Sequence, residues 1–277
     1  MDVSVIIINY NTMQMTSECI DSVIANTSDI KYEIILVDNA SNDGSKEFFQ
    51  DDNRVKYIYS DINRGFGAGN NLGVKHACGK YIFLLNSDTL VKNNAIKMLY
   101  DFSESYQKPC VCGGWLVDRN NIPNCSYVSF PRMNYLEFVK SFFIRKQELQ
   151  VNTLQSVDVV CGADIFMPRD LFNNENGFDE YIFLNGEEVE LQYRLMKAGY
   201  NRILIPGPII NHFAGVSSKG KINKSVTKNH YYFLKKHMPW YMYYTARLYY
   251  GLNYIFKWII SPKPNDYIIN AFIRIKR

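Results

Sequence analysis

Four apolar runs rich in β-branched residues follow one another between Val3 and Asn86, separated by helical patterns. They read VSVIII (Val3–Ile8), YEIILVD (Tyr32–Asp38), VKYIYS (Val55–Ser60) and KYIFLLN (Lys80–Asn86). A short apolar run without polar alternation marks a strand buried on both faces, as occurs where helices cover both sides of a sheet. Between the runs lie a helical pattern to about Ala25, carried by Cys19, Ile20, Val23 and Ile24, then KEFFQ, then GAGNNLGVKHAC; NNAIKMLYDFSESY supplies the next helix. This alternation with short links specifies βαβ units and a largely parallel sheet in an α/β domain. In such sheets ligands bind beyond the carboxyl ends of the strands. The chain delivers Asn9-Tyr10-Asn11, Asp38-Asn39, Asp61-Ile62-Asn63 and Asn86-Ser87-Asp88 to that edge. Asn and Asp are common turn formers, which would account for any one of these ends. Their recurrence at four makes a binding edge the better explanation.

Further along, CVCGGWLVD, CSYVSF and VDVVCGADIFM read as strands, and YLEFVKSFFIRKQEL between them fits a helix or an insert. GEEVELQYRLMKAG (Gly186–Gly199) is a strong helical pattern. Val189, Tyr193 and Met196 form one face, Leu191 and Leu195 an adjacent one, and Gly199 stands where a C-cap belongs. NRILIP follows as a strand. From about Lys228 the chain becomes aromatic and basic, with Arg247 and Lys257 at helical positions. The expected division is therefore a domain over residues 1–227 and an amphipathic helical extension over 228–277. Trp and Tyr favour the membrane–water interface and Lys and Arg reach anionic head groups, so peripheral membrane contact is expected of the tail. Packing on the domain is the alternative.

A chain of 277 residues, 47% hydrophobic and 21% charged, has the length and composition for a sizeable core. A net charge of +4 without a basic face argues against nucleic acid. Six cysteines without C-x-x-C spacing read as reduced thiols in a cytosolic chain. No basic leader precedes the first apolar run, and no stretch reaches about 18 uninterrupted apolar residues, so neither a signal peptide nor a membrane-spanning helix is expected.

The familiar nucleotide signatures fail. GFGAG (Gly65–Gly69) has the wrong spacing and position for a dinucleotide fingerprint. GVSSKGKI (Gly215–Ile222) puts Ile222 where a phosphate-binding loop needs Ser or Thr. Asp88 at a strand end is a hard oxygen ligand suited to Mg²⁺ or Mn²⁺, and it would bind such an ion well once a diphosphate supplies further oxygens. His212, beyond another strand, is a second candidate ligand, although a lone His is more often structural. Glu187 and Glu188 lie in the first turn of a helix, where the dipole favours an ionised carboxylate, and a general base must be ionised. Acidic residues are also routine in first turns.

The motifs VSVIIINYN, YEIILVDNASNDGS, NRGFGAGNNLGVKHACGKYIFLLNSD, CGADIFMPRDLF, GFDEYIFLNGEEVELQYRLMKAGY and NHFAG occur in this order between Val3 and Gly215. Together they resemble the inverting nucleotide-sugar glycosyltransferases of family 2, with the GT-A fold, close to the rhamnosyltransferase branch. The resemblance implies a nucleoside diphosphate sugar donor, dTDP-rhamnose as first choice, with UDP-glucose, UDP-N-acetylhexosamine or UDP-galactofuranose as alternatives. It implies that Asn9, Tyr10 and Asn11 line the nucleotide pocket, that Asp38 hydrogen-bonds base or ribose, and that Asn39 and Asp43 share its loop. Asn63, Gly65, Gly67, Asn70 and Asn71 would shape the nucleotide side of the cleft. Asn86-Ser87-Asp88 replaces the family's D-x-D motif, with Asp88 as ligand to Mn²⁺ or Mg²⁺ and His212 matching a histidine that ligates metal in some members. GEE replaces the usual GED, so Glu188 stands at the catalytic base position, with Glu187 as its rival. Lys219 and Lys221 would close over the diphosphate. The acceptor implied is a glycan or lipid-linked glycan precursor. Resemblance and tail together place the chain in the cytoplasm, at the inner face of the cell membrane. A non-catalytic sugar-nucleotide binder is the reading from another class.

Overall fold

The computed structural model describes residues 1–131, 153–213 and 224–260. The helix or insert expected over residues 135–149, and the loop carrying Lys219 and Lys221, lie outside the described residues.

The strands are β1 (Val3–Asn9), β2 (Tyr32–Asn39), β3 (Lys56–Ser60), β4 (Tyr81–Asn86), β5 (Thr89–Val91), β6 (Cys110–Val117), β7 (Tyr127–Val128), β8 (Gln155–Ser156), β9 (Val159–Val160), β10 (Asp164–Pro168) and β11 (Asn201–His212). The helices are α1 (Met13–Asn26), α2 (Ser45–Phe49), α3 (Phe66–Lys75), α4 (Ala95–Ser105), α5 (Arg169–Asn174), α6 (Glu187–Lys197), α7 (Lys224–His237) and α8 (Trp240–Ile260). The described residues fall into two compact units. One lies within Met1–Ser129, Leu149–Phe183 and Glu187–Val216, the other within Phe130–Glu148, Leu184–Gly186 and Ser217–Arg277. The boundary expected between 227 and 228 falls inside α7.

The first unit is built on a sheet of nine strands in the order β3-β2-β1-β4-β10-β6-β11-β5, with β8 also pairing β11. Strands β1 to β4 are mutually parallel where paired except at β10, and β6 and β11 share their direction. Only β5, β8 and β10 run the other way. The uninterrupted apolar runs are explained by burial on both faces. Val5, Ile7, Ile34, Leu36, Phe83 and Leu85 pack with Cys19, Ile20 and Val23 of α1 and Ile96 and Leu99 of α4. Their neighbours in the strands, Ile6, Ile35, Val37, Ile82 and Leu84, point the opposite way, as strand geometry requires, and pack with Val74 of α3, Leu171 and Phe172 of α5, and Leu191 and Leu195 of α6. In α6 the core face is thus the Leu191–Leu195 stripe, while Val189 and Met196 are only half-buried. Gly199 ends this helix with φ +87°, its N–H bonding the Met196 carbonyl and that of Tyr200 the Leu195 carbonyl, a Schellman cap.

Two expected strands differ. VDVVCGADIFM divides into β9 and β10, with Cys161, Gly162 and Ala163 between them. NRILIP is the start of a longer strand that continues through Pro206, Gly207 and Pro208 to His212. Proline has no N–H to donate, and the β6–β11 register shifts between Leu204 and Ile209. Asn93 brackets that irregularity, donating to the Gly207 carbonyl at 2.8 Å and accepting from the Ile209 N–H at 3.1 Å. Beyond it β11 pairs antiparallel with β5, His212 opposite Thr89.

In the second unit, Asn229 of α7 donates to the carbonyls of Leu184 and Asn185, each at 2.8 Å. Tyr231 is buried edge-on against Tyr243 of α8. The tail is two helices, not one, separated at Met238-Pro239.

Candidate active site

Parallel pairing sets the carboxyl ends of β1, β2, β3 and β4 in one row: Asn9 lies opposite Asp38, Asn39 opposite Ser60, and Ile8 opposite Asn86. In such sheets ligands bind beyond this carboxyl edge. Thr12 and Ser87 meet there, hydroxyl to hydroxyl, at 3.2 Å.

The most buried of the expected site residues form the frame of this edge. Asn9 has no exposed surface. Its amide donates to Ser41 Oγ at 3.0 Å and accepts from Thr12 and Thr16 at 2.9 and 2.8 Å. Asp38, equally buried, accepts from the Ser41 N–H at 3.0 Å and from Tyr57 Oη at 2.8 Å. Burial and this carboxylate push the Tyr57 phenol well above its ordinary range. Asn39 ties Asn63 Oδ1, the Gly65 carbonyl and the Arg64 N–H into one turn at 3.0–3.1 Å. Asn70 is buried and caps back to the Phe66 carbonyl at 3.0 Å. Asn71 makes a two-point amide clamp on Phe178, 2.9 Å each way. Asp43 accepts the Met13 N–H at 2.9 Å, serving α1 as an N-terminal cap from the next loop. Tyr10 and Asn11 are exposed, and Asn63, Asn86, Ser87 and Asp88 are half-buried, so these six present surface to a ligand.

Asp88 and His212 are distant in sequence and adjacent in space: Asp88 Oδ1 lies 3.5 Å from His212 Nε2. The β5–β11 ladder imposes this, and the Phe213 N–H closes it by donating to the Asp88 carbonyl at 3.0 Å. On the far side of β4, the Asn86 N–H donates to the Ala163 carbonyl at 3.1 Å. Gly162, next in the chain, is covered by Glu188: a Cβ there would sit 3.7 Å from the Glu188 Cβ and Cγ. Asp88, His212 and Glu188 therefore border the same edge of one sheet.

The two first-turn carboxylates of α6 are separated by the roughly 100° step of the helix. Glu188 is half-buried over Gly162. Glu187 turns toward α3, near Gly67, and is only 3% exposed with Oε2 unpartnered. Burial first, and the Glu188 charge second, push its carboxyl up to about 8. Glu187 thus holds its proton near neutrality.

A family model described as Glycosyl transferase family 2 matches residues 4–174. The chain belongs to this family. Glycosyltransferase GlyG of Streptococcus pneumoniae serotype 4 is 34% identical over 117 residues, covering 41% of this chain and 38% of that protein. This chain accordingly spans well under two thirds of that relative. Rhamnosyltransferase WbbL of Escherichia coli K12 is 27% identical over 214 residues, 72% of this chain and 80% of that one. The crystal structure of GalNAc-T7 with UDP, GalNAc and Mn²⁺ superposes with a TM-score of 0.70 at 17% identity, covering 91% of this chain and 51% of that chain. The shared architecture is the GT-A fold.

For this family 2 chain, Asp88 and His212 fit a divalent ion that completes its shell from elsewhere. Among the described residues no cluster of three or more His, Cys, Asp or Glu could hold a metal alone. A carboxylate with an imidazole leaves most positions open, as suits an ion shared with phosphate oxygens, and the imidazole favours Mn²⁺ over the harder Mg²⁺. Several residues that build the site carried weak sequence signals. Ser41 holds Asn9, Asn11 and Asp38 together from within DNASNDGS. Phe183 accepts the Phe66 N–H at 2.9 Å and fills the space a Cβ on Gly65 (φ +82°) would need. Gly162 gives Glu188 its place. None of these is chemically conspicuous, so periodicity and residue type passed over them.

Proposed function

We propose that the chain is an inverting glycosyltransferase that moves a sugar from a nucleoside diphosphate donor to a hydroxyl of a cell-surface glycan or lipid-linked precursor. The observation that carries this reading is the meeting of Asp88 and His212 on the edge that also bears Glu188. The likeness to the rhamnosyltransferase WbbL supports dTDP-rhamnose as the first donor to test, and the UDP and Mn²⁺ of the GalNAc-T7 structure support UDP-sugars as the next.

Tyr10, Asn11, Asn63, Asn86 and Ser87 receive the nucleotide, while Asn9, Asp38, Asn39, Gly67, Asn70 and Asn71 hold the edge that presents them. Asp88 and His212 would hold Mn²⁺ or Mg²⁺, which would offset charge on the diphosphate. Glu188 accepts the proton of the acceptor hydroxyl as its oxygen forms a bond to the anomeric carbon. The bond from that carbon to the β-phosphate oxygen breaks on the opposite face, its electron pair leaving with the diphosphate, and the configuration inverts. Glu187, protonated, is the neighbour rather than the base. The aromatic face of the tail keeps the enzyme at a membrane where a lipid-linked acceptor resides.

The test is release of nucleoside diphosphate from a panel of nucleotide sugars with Mn²⁺. Asp88→Ala should abolish turnover with an unchanged melting curve, and Glu188→Gln should keep donor binding while losing about 10²–10⁴-fold in rate. Normal turnover by Asp88→Ala rules out its role. Nucleotide binding without turnover across all donors and acceptors favours the non-catalytic binder.

A further inference from the structure

We infer that Arg119 binds the donor's diphosphate, its guanidinium being stacked on the residue that follows His212. This rests on the proposed transferase reading. Strand β6 ends at Val117, in parallel register with Asn211, so the turn after it emerges at the same edge as His212. The turn is fixed from both sides. Asp118 Oδ1 accepts the N–H groups of Asn120 and Ile122 at 2.8 and 2.9 Å, and its carbonyl accepts Asn211 Nδ2 at 2.6 Å. Arg119 at its tip places the guanidinium carbon 4.9 Å from the centroid of the Phe213 ring. Phe213 is the residue whose N–H bonds the Asp88 carbonyl. The Arg119 side chain is exposed and makes no ion pair among the described residues. Stacking on an aromatic face orients the planar fork while leaving its edge N–H groups to meet oxygen acceptors.

The chemistry calls for a cation here. A nucleoside diphosphate sugar carries two negative charges on its phosphates. When the anomeric bond breaks, its electron pair adds a third, on the β-phosphate. One divalent ion and one ligating carboxylate contribute a single net positive charge, so charge accumulates on the leaving group as the reaction proceeds. An arginine beside the ligands meets that increment with charge-assisted hydrogen bonds.

The test is titration calorimetry of the full chain in Mn²⁺ with UDP, UMP, dTDP and dTMP. Arg119→Ala should weaken diphosphate binding about tenfold or more and leave monophosphate binding unchanged. Arg119→Lys should recover part of the loss, and Phe213→Leu, which removes the stack alone, should fall between. Melting curves matching wild type establish that the variants fold. Equal weakening of diphosphate and monophosphate, or no weakening of either, overturns the inference. If wild type binds none of the four, the transferase reading itself fails and this inference falls with it.

Discussion

At the scale of single residues, proton affinity divides two adjacent glutamates. Glu187 is buried, and its carboxyl is raised from 4.5 to about 8. The folded state therefore keeps a proton that the unfolded chain gives up. Below about pH 4.5 both states are protonated and the group is neutral in the balance. Between there and about pH 8 the unfolded state loses its proton first, so folding stability falls as pH rises, by an amount on the order of a few kcal/mol. Glu187→Gln should flatten that slope in denaturant titrations run across the window, and should leave transfer largely intact. Loss of transfer in Glu187→Gln comparable to that of Glu188→Gln would reverse the assignment of the base. The sequence carried both glutamates as candidates because both are first-turn carboxylates, and only the family resemblance favoured Glu188. Packing divides them physically, one against Gly67 and α3, the other over Gly162.

At the scale of elements, α6 carries the proposed base, so its fixation sets the geometry of the candidate site. Gln192 exchanges two 2.8 Å hydrogen bonds with the Val160 backbone. Arg194 reaches Glu190, fully buried on the same helix, at 2.9 Å, and also bonds the carbonyls of Glu175 and Gly177. Arg194→Met should cost about 3–5 kcal/mol in chemical denaturation, the range for breaking a buried ion pair, and Glu190→Gln in the same chain should recover part of it. If Arg194→Met alone is neutral, the pair contributes nothing to holding α6. Element identity was largely legible: the apolar runs became β1 to β4 and the Gly186–Gly199 pattern became α6. What was not legible depended on tertiary pairing. The three-residue β5 is too short for any periodicity, and β11 runs through Pro206-Gly207-Pro208, a sequence that reads as a strand end. Those two elements are the ones that bring His212 to Asp88, so the proximity of the pair was implied by family resemblance and its cause was not visible.

At the scale of the whole molecule, the tail presents a surface that the fold does not use. In α8, Trp240, Tyr244, Leu248 and Leu252 recur every four residues, and are 74, 62, 65 and 58% exposed. Residues four apart lie along one side of a helix, so these form an apolar stripe about three turns long. The side flanking this stripe is committed to packing: Arg247 lies over the rings of Tyr231 and Tyr243 and hydrogen-bonds Tyr243 Oη at 3.0 Å. The sequence pattern had given Arg247 to the head groups, but its neighbours four and sixteen positions back turn it inward. Lys235 and Lys236 at the end of α7 are exposed cations. No described helix is long and apolar enough to cross a membrane; the contact proposed for this stripe is one lying in the interface. A Trp240→Ala, Tyr244→Ala, Leu248→Ala variant removes only exposed side chains and should melt as wild type does. It should also lose most of its co-sedimentation with vesicles containing phosphatidylglycerol. Replacing Lys235 and Lys236 by Gln should weaken binding in low salt and matter less as salt rises, because screening within about 8 Å at physiological ionic strength already suppresses the charge term. Wild-type protein that stays in the supernatant with these vesicles at low salt would leave the stripe without a lipid role and return the tail to ordinary packing.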